Sequence, residues 1–250
     1  MEFVVLPDHP AGTDALALAP ASGLPGPKVI EHHSGRPWLV GDWPDDEIVS
    51  VSAGPRRLVL LGCAKVRQEP LAAGLSRVRS LADLDGLARL AAGSFQFVAS
   101  IDGEVRVQGT LSTACQVFYA KVAGVTMAAN RPEALADRIG ATVDEERVAL
   151  ELLSPFGPPE PLSEGSVWHG VRSPRIGHCL EIGRNGAGRT RRWWTPPAPA
   201  RPLGDGDFIR EALFDAMLAR TAGRPVVSAD LSGGLDSTSL CFVADRTDGT

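Results

Sequence analysis

Strand-length apolar runs recur along the first 130 residues of the chain, with helical spacing of apolar positions between them. Asp102-Gly103 separates two of these runs and supplies the residues preferred in a two-residue hairpin turn. The predicted strands cover 2–6, 37–40, 58–62, 95–101, 104–108 and 125–129, and the predicted helices cover 84–92, 132–139 and 144–153. Several strands with a few helices predict an α+β layered domain.

The pattern changes after about residue 195. Prolines in the segment 196–204 predict an extended linker, and the segment 207–221 predicts a helix. The apolar residues of that helix share one face, which predicts core packing. They are Phe208, Ile209, Leu213, Phe214, Met217 and Leu218.

A β-branched apolar run at 226–231 predicts a short strand, followed by a glycine turn and by helical spacing from Ser237 onward. Gly233 and Gly234 permit backbone angles closed to other residues, and they let N–H groups approach an anion at a helix N-terminus. No Gly-Lys-Ser/Thr follows, and no third glycine completes GxGxxG, so neither commoner phosphate loop applies. A plain strand-turn-helix capped by Asp236 or Ser237 is the alternative.

The string Ser232-Gly233-Gly234-Leu235-Asp236-Ser237 resembles the SGGxDS pyrophosphate loop of the asparagine synthetase superfamily at all six positions. Its members split ATP between the α- and β-phosphates to adenylate a carboxylate. The resemblance implies that N–H groups of Gly233 and Gly234 hold the pyrophosphate of ATP, together with the hydroxyls of Ser232 and Ser237. It also implies that Asp236 carries Mg²⁺. The implied ATP site comprises Leu231, Ser232, Gly233, Gly234, Leu235, Asp236 and Ser237.

The N-terminal part resembles the glutaminase-like domain of the same superfamily. The matching segments follow in order at 93–97, 116–119, 128–135, 177–182 and 192–197. The resemblance implies an α+β domain over 1–195, of the αββα sandwich type found in N-terminal-nucleophile hydrolases, with the linker after it. An adenine-nucleotide α-hydrolase-like α/β domain would then begin at 205–250. We expect it to be incomplete, with catalytic residues beyond Thr250, because a parallel nucleotide domain needs several βα units.

In glutamine-hydrolysing members the residue after the initiator methionine is a cysteine, which attacks glutamine with its own α-amine as base. Here that residue is Glu2, so we expect the glutaminase domain to be degenerate and its nucleophile absent. The four cysteines show neither CxxC nor metal-ligand spacing, which predicts buried free thiols. They are Cys63, Cys115, Cys179 and Cys241.

Charge and hydropathy narrow the classes of partner. The net charge of −5 and the pI near 5.6 give no electrostatic case for nucleic acid or a membrane surface. The basic run at Arg189, Arg191 and Arg192 is interpreted as a solvated strand edge. No run of about eighteen apolar residues and no signal-peptide pattern is present, so we expect a cytoplasmic protein.

These features predict an ATP-dependent, AMP-forming amide synthetase in which an amine already on a substrate attacks the adenylated carboxylate. β-Lactam synthetases and lasso peptide cyclases work in this way, and the opening residues and compact N-terminal domain resemble the cyclases more. That resemblance implies a precursor peptide as substrate, with a maturation protease and a leader-binding protein as partners. Two alternatives stay open: an asparagine synthetase, either glutamine-hydrolysing or ammonia-using, and a truncated module that docks peptides or partner proteins without catalysis.

Overall fold

The computed structural model describes residues 1–17, 27–153, 165–198, 206–221, 223–224 and 226–247. Residues 199–204 of the predicted linker, and residues 205, 222, 225 and 248–250 of the predicted final domain, lie outside the described residues.

The strands are β1 Glu2–Val5, β2 Lys28–Glu31, β3 Pro37–Asp42, β4 Ile48–Ala53, β5 Arg56–Lys65, β6 Ala92–Ile101, β7 Glu104–Gln108, β8 Phe118–Val122, β9 Val125–Ala129, β10 His178–Ile182 and β11 Gly188–Arg192. The helices are α1 Pro10–Ala17, α2 Gln68–Arg77, α3 Leu84–Leu87, α4 Glu133–Ile139, α5 Glu145–Leu153, α6 Asp207–Thr221 and α7 Leu235–Thr247, with 3₁₀ turns at Asp45–Glu47 and Leu81–Asp83. The strands form one sheet in the order β2-β3-β1-β9-β8 and another in the order β11-β10-β7-β6-β5-β4.

The two sheets pack face to face through one apolar cluster that includes Phe3 and Trp38 from the first sheet and Val98 and Val105 from the second. A second cluster joins the outer face of the first sheet to α1 and α4. A third joins the outer face of the second sheet to α2 and α3. The expected four-layer αββα sandwich is therefore formed.

Strand β5 shows how the sequence builds these layers. Val59 and Leu61 lie in the cluster between the sheets. Leu58 and Leu60 lie in the cluster beneath the helices, because successive side chains of a strand point to opposite faces. All four are fully buried. A strand covered on both faces is apolar at every position, which explains the unbroken run at 58–61.

The hairpin from β6 to β7 confirms the predicted turn. Asp102 and Gly103 have φ angles of 50° and 83°, and two positive φ values are those of a type I′ turn. The predicted helix at 84–92 is too long. It ends at Leu87, because Ala92 already belongs to β6 and pairs with Lys65 of β5.

Helix α6 has the predicted bounds, but its apolar stripe forms core only in part. Thr221 is the only buried residue of this helix. Phe208 and Ile209 are 58% and 53% exposed. The sandwich contacts α6 through β5 and β6, and α7 packs along it, so the later part of the stripe is partly buried. The partly buried residues are Leu213, Phe214, Met217 and Leu218.

The predicted strand at 226–231 is also wrong for the residues that the structure describes. These residues form no strand pairing, and Val226 and Leu231 are 83% and 66% exposed. A strand needs neighbouring N–H and C=O groups to pair with, and no described strand lies beside this segment. The helix that follows is present and begins at Leu235, two residues earlier than predicted. An incomplete nucleotide domain stays a prediction.

Candidate functional site

The loop from Ser232 to Ser237 connects the exposed segment 226–231 to helix α7. Because α7 begins at Leu235, its first N–H groups have no acceptor within the helix. Thr238 donates the first hydrogen bond of this turn, to the carbonyl of Gly234 at 3.1 Å. Among the described residues none accepts a hydrogen bond from the N–H groups of Gly234, Leu235 or Asp236. These donors carry the partial positive charge of a helix N-terminus, which favours an anion.

The fold requires glycine at only one of the two glycine positions of the loop. Gly233 has a φ of 82°, a conformation that disfavours any residue with a side chain. A Cβ on Gly234 would come no closer than 3.7 Å to another atom, the Oγ of Ser232, and the φ of Gly234 is not positive. The fold therefore requires glycine at 233 but tolerates a side chain at 234. Close approach of an anion to the backbone would require glycine at both.

The hydroxyls of Ser232 and Ser237 are brought together by the turn. Ser237 donates a hydrogen bond to the carbonyl of Gly234 at 3.1 Å, and its Oγ lies 2.9 Å from the Oγ of Ser232. The proton of Ser232 therefore points toward Ser237. An anion at the helix N-terminus would compete for both hydroxyl protons, because each is held only by a neutral acceptor.

The helix-cap alternative does not describe Asp236 or Ser237. Both lie inside the first turn of α7, whereas a capping side chain precedes the helix and accepts an N–H hydrogen bond. Ser237 instead donates to a carbonyl. Asp236 is exposed and forms no hydrogen bond or ion pair with any residue that the structure describes. Its carboxylate is thus left without a partner among the described residues.

The remaining predicted site residues contribute backbone alone. Leu231 and Leu235 are exposed apolar residues on either side of the glycines. No cluster of three or more His, Cys, Asp or Glu side chains in the described part of the chain forms a metal site. A magnesium ion at Asp236 would need its other ligands from the nucleotide and water, as is usual for this ion.

A second candidate site is a cavity of about 380 Å³ at the end of the sandwich where β1 begins. Its lining includes Met1, Gln96, Cys115, Asn130 and Glu133. The side chain of Asn130 accepts a hydrogen bond from the N–H of Phe3 at 2.8 Å and donates one to the carbonyl of Met1 at 3.3 Å. Asn130 therefore fixes the first residues of β1 against the cavity.

The sequence pattern places no thiol near the N-terminus, but the structure brings Cys115 to this cavity. Cys115 lies far from Met1 along the chain, but both line the same space. Burial raises the pKa of the Cys115 thiol, and the charge of Arg220 lowers it only in part. Cys115 is therefore a protonated thiol at neutral pH and a poor nucleophile. All four cysteines are free as predicted, although only Cys179 is buried and the others are half-buried.

The basic run lies on β11, an edge strand as interpreted from the sequence. Arg189 and Arg191 donate hydrogen bonds to the buried carboxylate of Glu181. Arg191 also pairs with Asp85, and Asp85 pairs with Arg106, whose side chain is fully buried. Two of the three basic side chains are thus held in ion pairs.

Comparison with known proteins agrees with part of this picture. The sequence model of the asparagine synthase family matches residues 208–249, which contain the whole loop. Among curated proteins none matches the sequence. None of the described helices is long and apolar enough to cross a membrane.

Solved structures give weaker similarities. One is a glutamine phosphoribosylpyrophosphate amidotransferase from B. subtilis complexed with ADP and GMP, with 13% identity, a TM-score of 0.40, and coverage of 86% of this chain and 51% of that one. Another is an allosteric regulatory enzyme of purine biosynthesis, with 14% identity, a TM-score of 0.41, and coverage of 86% and 50%. This chain spans about half the length of both. Similarities at this level carry no argument about fold or function.

Proposed function

We propose that this chain belongs to an ATP-dependent, AMP-forming amide synthetase that activates a carboxylate by adenylation. The observation that carries the proposal is the loop 232–237, which combines a helix N-terminus, two convergent hydroxyls and an exposed carboxylate within the family match. Gly234 adds to this support. The fold leaves room for a side chain at this position, whereas an anion bound close to the backbone would not.

The proposed reaction has two steps. A carboxylate oxygen attacks the α-phosphorus of ATP, the bond to the bridging oxygen of the β-phosphate breaks, and pyrophosphate leaves. An amine then attacks the acyl carbon, an amide forms and AMP leaves. Adenylation replaces a poor leaving group by a good one, and the protein contributes chiefly position and charge.

Five residues of the loop contact the ligands in this proposal. The N–H groups of Gly233 and Gly234 and the hydroxyls of Ser232 and Ser237 hold the departing pyrophosphate. Asp236 holds Mg²⁺, which offsets the negative charge of the phosphates.

The amine is proposed to come from the substrate itself and not from glutamine. Cys115 is the one cysteine among the described residues that line the cavity, and its raised pKa leaves the cavity without a thiolate nucleophile. A peptide that supplies both amine and carboxylate meets this requirement, so the finer proposal is a lasso peptide cyclase that acts on a precursor peptide in the cytoplasm, with a protease and a leader-binding protein as partners. This finer step rests on resemblance.

The test is binding of pyrophosphate to the protein produced from its complete gene. Asp236→Asn should weaken magnesium-dependent pyrophosphate binding by at least about tenfold, which is about 1.4 kcal/mol. Asp245→Asn is the matched control, because Asp245 is an exposed aspartate on the same helix outside its first turn. Equal affinity in the two variants, measured by titration calorimetry with and without Mg²⁺, would contradict the proposal.

A further inference from the structure

Helix α6 is attached to the sandwich at one end. Its single buried residue is Thr221, the last of the helix, whereas Phe208 and Ile209 near its start are more than half exposed. Asp215, Ala219 and Arg220 form hydrogen bonds or ion pairs with the sandwich, and all three lie in the second half of the helix. Any motion of α6 relative to the sandwich would therefore pivot about its C-terminal end.

Two side chains of the sandwich hold that end. The thiol of Cys63 on β5 donates a hydrogen bond to the carbonyl of Ala219 at 2.7 Å. This carbonyl is one of the last four of α6, and these carbonyls receive no hydrogen bond from N–H groups of the helix itself. The guanidinium of Arg220 donates to Ser94 Oγ on β6 at 2.6 Å and to the carbonyl of Ala216 at 2.8 Å. A cation at a helix C-terminus is also favoured by the helix dipole.

The ends of β5 and β6 are shaped for this contact. Gly93 has a φ of 125°, and a Cβ there would lie 2.1 Å from the carbonyl oxygen of Cys63. Only glycine lets the two strands stay paired here, with Cys63 opposite Ser94. The two residues that hold α6 are thus neighbours across one strand pair.

This contact lies between the loop and the cavity. Helix α6 packs against α7, whose N-terminus carries the loop 232–237. On the other side, Ser94 and Gln96 are alternate residues of β6 and share a face of the strand. Gln96 lines the cavity. The charge of Arg220 also acts on Cys115 in the cavity wall.

We infer that Cys63, Ser94 and Arg220 form a clamp that positions the pyrophosphate loop relative to the sandwich. The inference rests on the proposed function for the identity of the loop's ligand. The three residues touch no substrate and are positioning residues. Through α6 and α7 they set where the helix N-terminus lies, and so where the pyrophosphate would be held relative to the sandwich.

The test compares Arg220→Ala and Ser94→Ala with Arg210→Ala in the protein produced from its complete gene. Arg210 is the matched control, because it lies on the same helix and pairs only with Asp207 among the contacts that the structure gives it. Opening of the clamp is read from alkylation of Cys63 by iodoacetamide, followed by mass spectrometry. Positioning is read from the affinity for pyrophosphate with Mg²⁺ and from the melting temperature.

We expect Arg220→Ala and Ser94→Ala to speed alkylation of Cys63 several-fold and to weaken pyrophosphate binding about tenfold, which is about 1.4 kcal/mol, because α6 and α7 then lose the attachment that holds the loop in place. The melting temperature should stay that of Arg210→Ala, and Arg220→Lys should recover part of the affinity because it keeps a donor and the charge.

Three outcomes decide the inference. Alkylation at the rate of Arg210→Ala would show that no clamp exists. Faster alkylation with unchanged pyrophosphate affinity would reduce the contact to a structural one and overturn the positioning role. If the unmodified protein binds no pyrophosphate, the proposed function is wrong and positioning for that ligand falls with it, while the alkylation rates still decide whether the clamp exists.

Discussion

The hydroxyl oxygens of Ser232 and Ser237 lie 2.9 Å apart across the turn that begins α7. Between them stand two glycines, of which only Gly233 needs the conformational freedom of glycine. Substitutions at the two glycines can therefore distinguish a requirement of the fold from a requirement of a bound ligand.

Gly234→Ala should leave the melting temperature nearly unchanged and abolish detectable pyrophosphate binding. The added methyl meets only Ser232 Oγ at 3.7 Å, but it stands where an anion would approach the backbone. Gly233→Ala is the comparison and should cost about 1 kcal/mol of stability, because its φ is left-handed. Gly234→Ala with unimpaired binding in titration calorimetry would show that no anion contacts this backbone.

The protein should release no glutamate from glutamine. Burial keeps Cys115 protonated, and the raised pKa leaves little thiolate at neutral pH. The measurement is an enzyme-coupled glutamate assay, with Cys115→Ala and Cys241→Ala as paired variants. Activity that disappears in Cys115→Ala and persists in Cys241→Ala would revive the glutamine-hydrolysing asparagine synthetase alternative.

Asp85→Asn should destabilise the sandwich by about 2 kcal/mol. Asp85 accepts hydrogen bonds from Arg106 and Arg191, and its substitution leaves the fully buried Arg106 without its ion partner. The figure is below that of a fully buried pair because the side chain of Asp85 is 30% exposed. Asp102→Asn is the control and should change stability by less than about 0.5 kcal/mol, since asparagine suits a type I′ turn. Urea unfolding measures both, and equal midpoints would contradict the prediction.

His32 and His33 should differ in their effect on the pH dependence of stability. Both ring nitrogens of the buried His32 are engaged, Nδ1 with Ser100 Oγ at 2.8 Å and Nε2 with the carbonyl of Leu6 at 3.1 Å. A carbonyl only accepts, so Nε2 carries the proton and Nδ1 accepts from Ser100. His33 is exposed.

Burial lowers the pKa of His32 from 6.5, and the charges of Arg57 and Arg36 lower it further, against the opposing effects of Asp8 and the Leu6 carbonyl. The unfolded chain therefore binds a proton more readily, so stability is full above pH 6.5 and falls as the pH drops below it toward the lower folded pKa. Thermal unfolding between pH 7 and 5 should show this loss in the unmodified protein and in His33→Gln. It should be smaller in His32→Gln. The same slope in both variants would exclude His32 as its source.

Local pattern was sufficient for several elements of this protein. The hairpin at β6 and β7, the bounds of α6 and the glycine turn that precedes α7 follow from residues adjacent in sequence. Asp-Gly between two strand-like runs favours a type I′ turn, and an unbroken apolar run such as 58–61 favours a strand covered on both faces. In these cases the controlling interactions are within a few residues of each other.

Only the tertiary structure decided the rest. An apolar stripe on α6 and an apolar run at 226–231 predict burial, yet Phe208 and Ile209 at the start of the stripe and the whole run at 226–231 stay exposed, because burial depends on what the rest of the chain places beside them. Cys115 meets Met1 at one cavity, and Cys63 meets Ala219 at the end of α6, although the residues of each pair lie far apart in the sequence. The sequence determines the chemistry of each side chain. Its neighbours across a sheet or at a helix end depend on packing, which is a property of the whole fold.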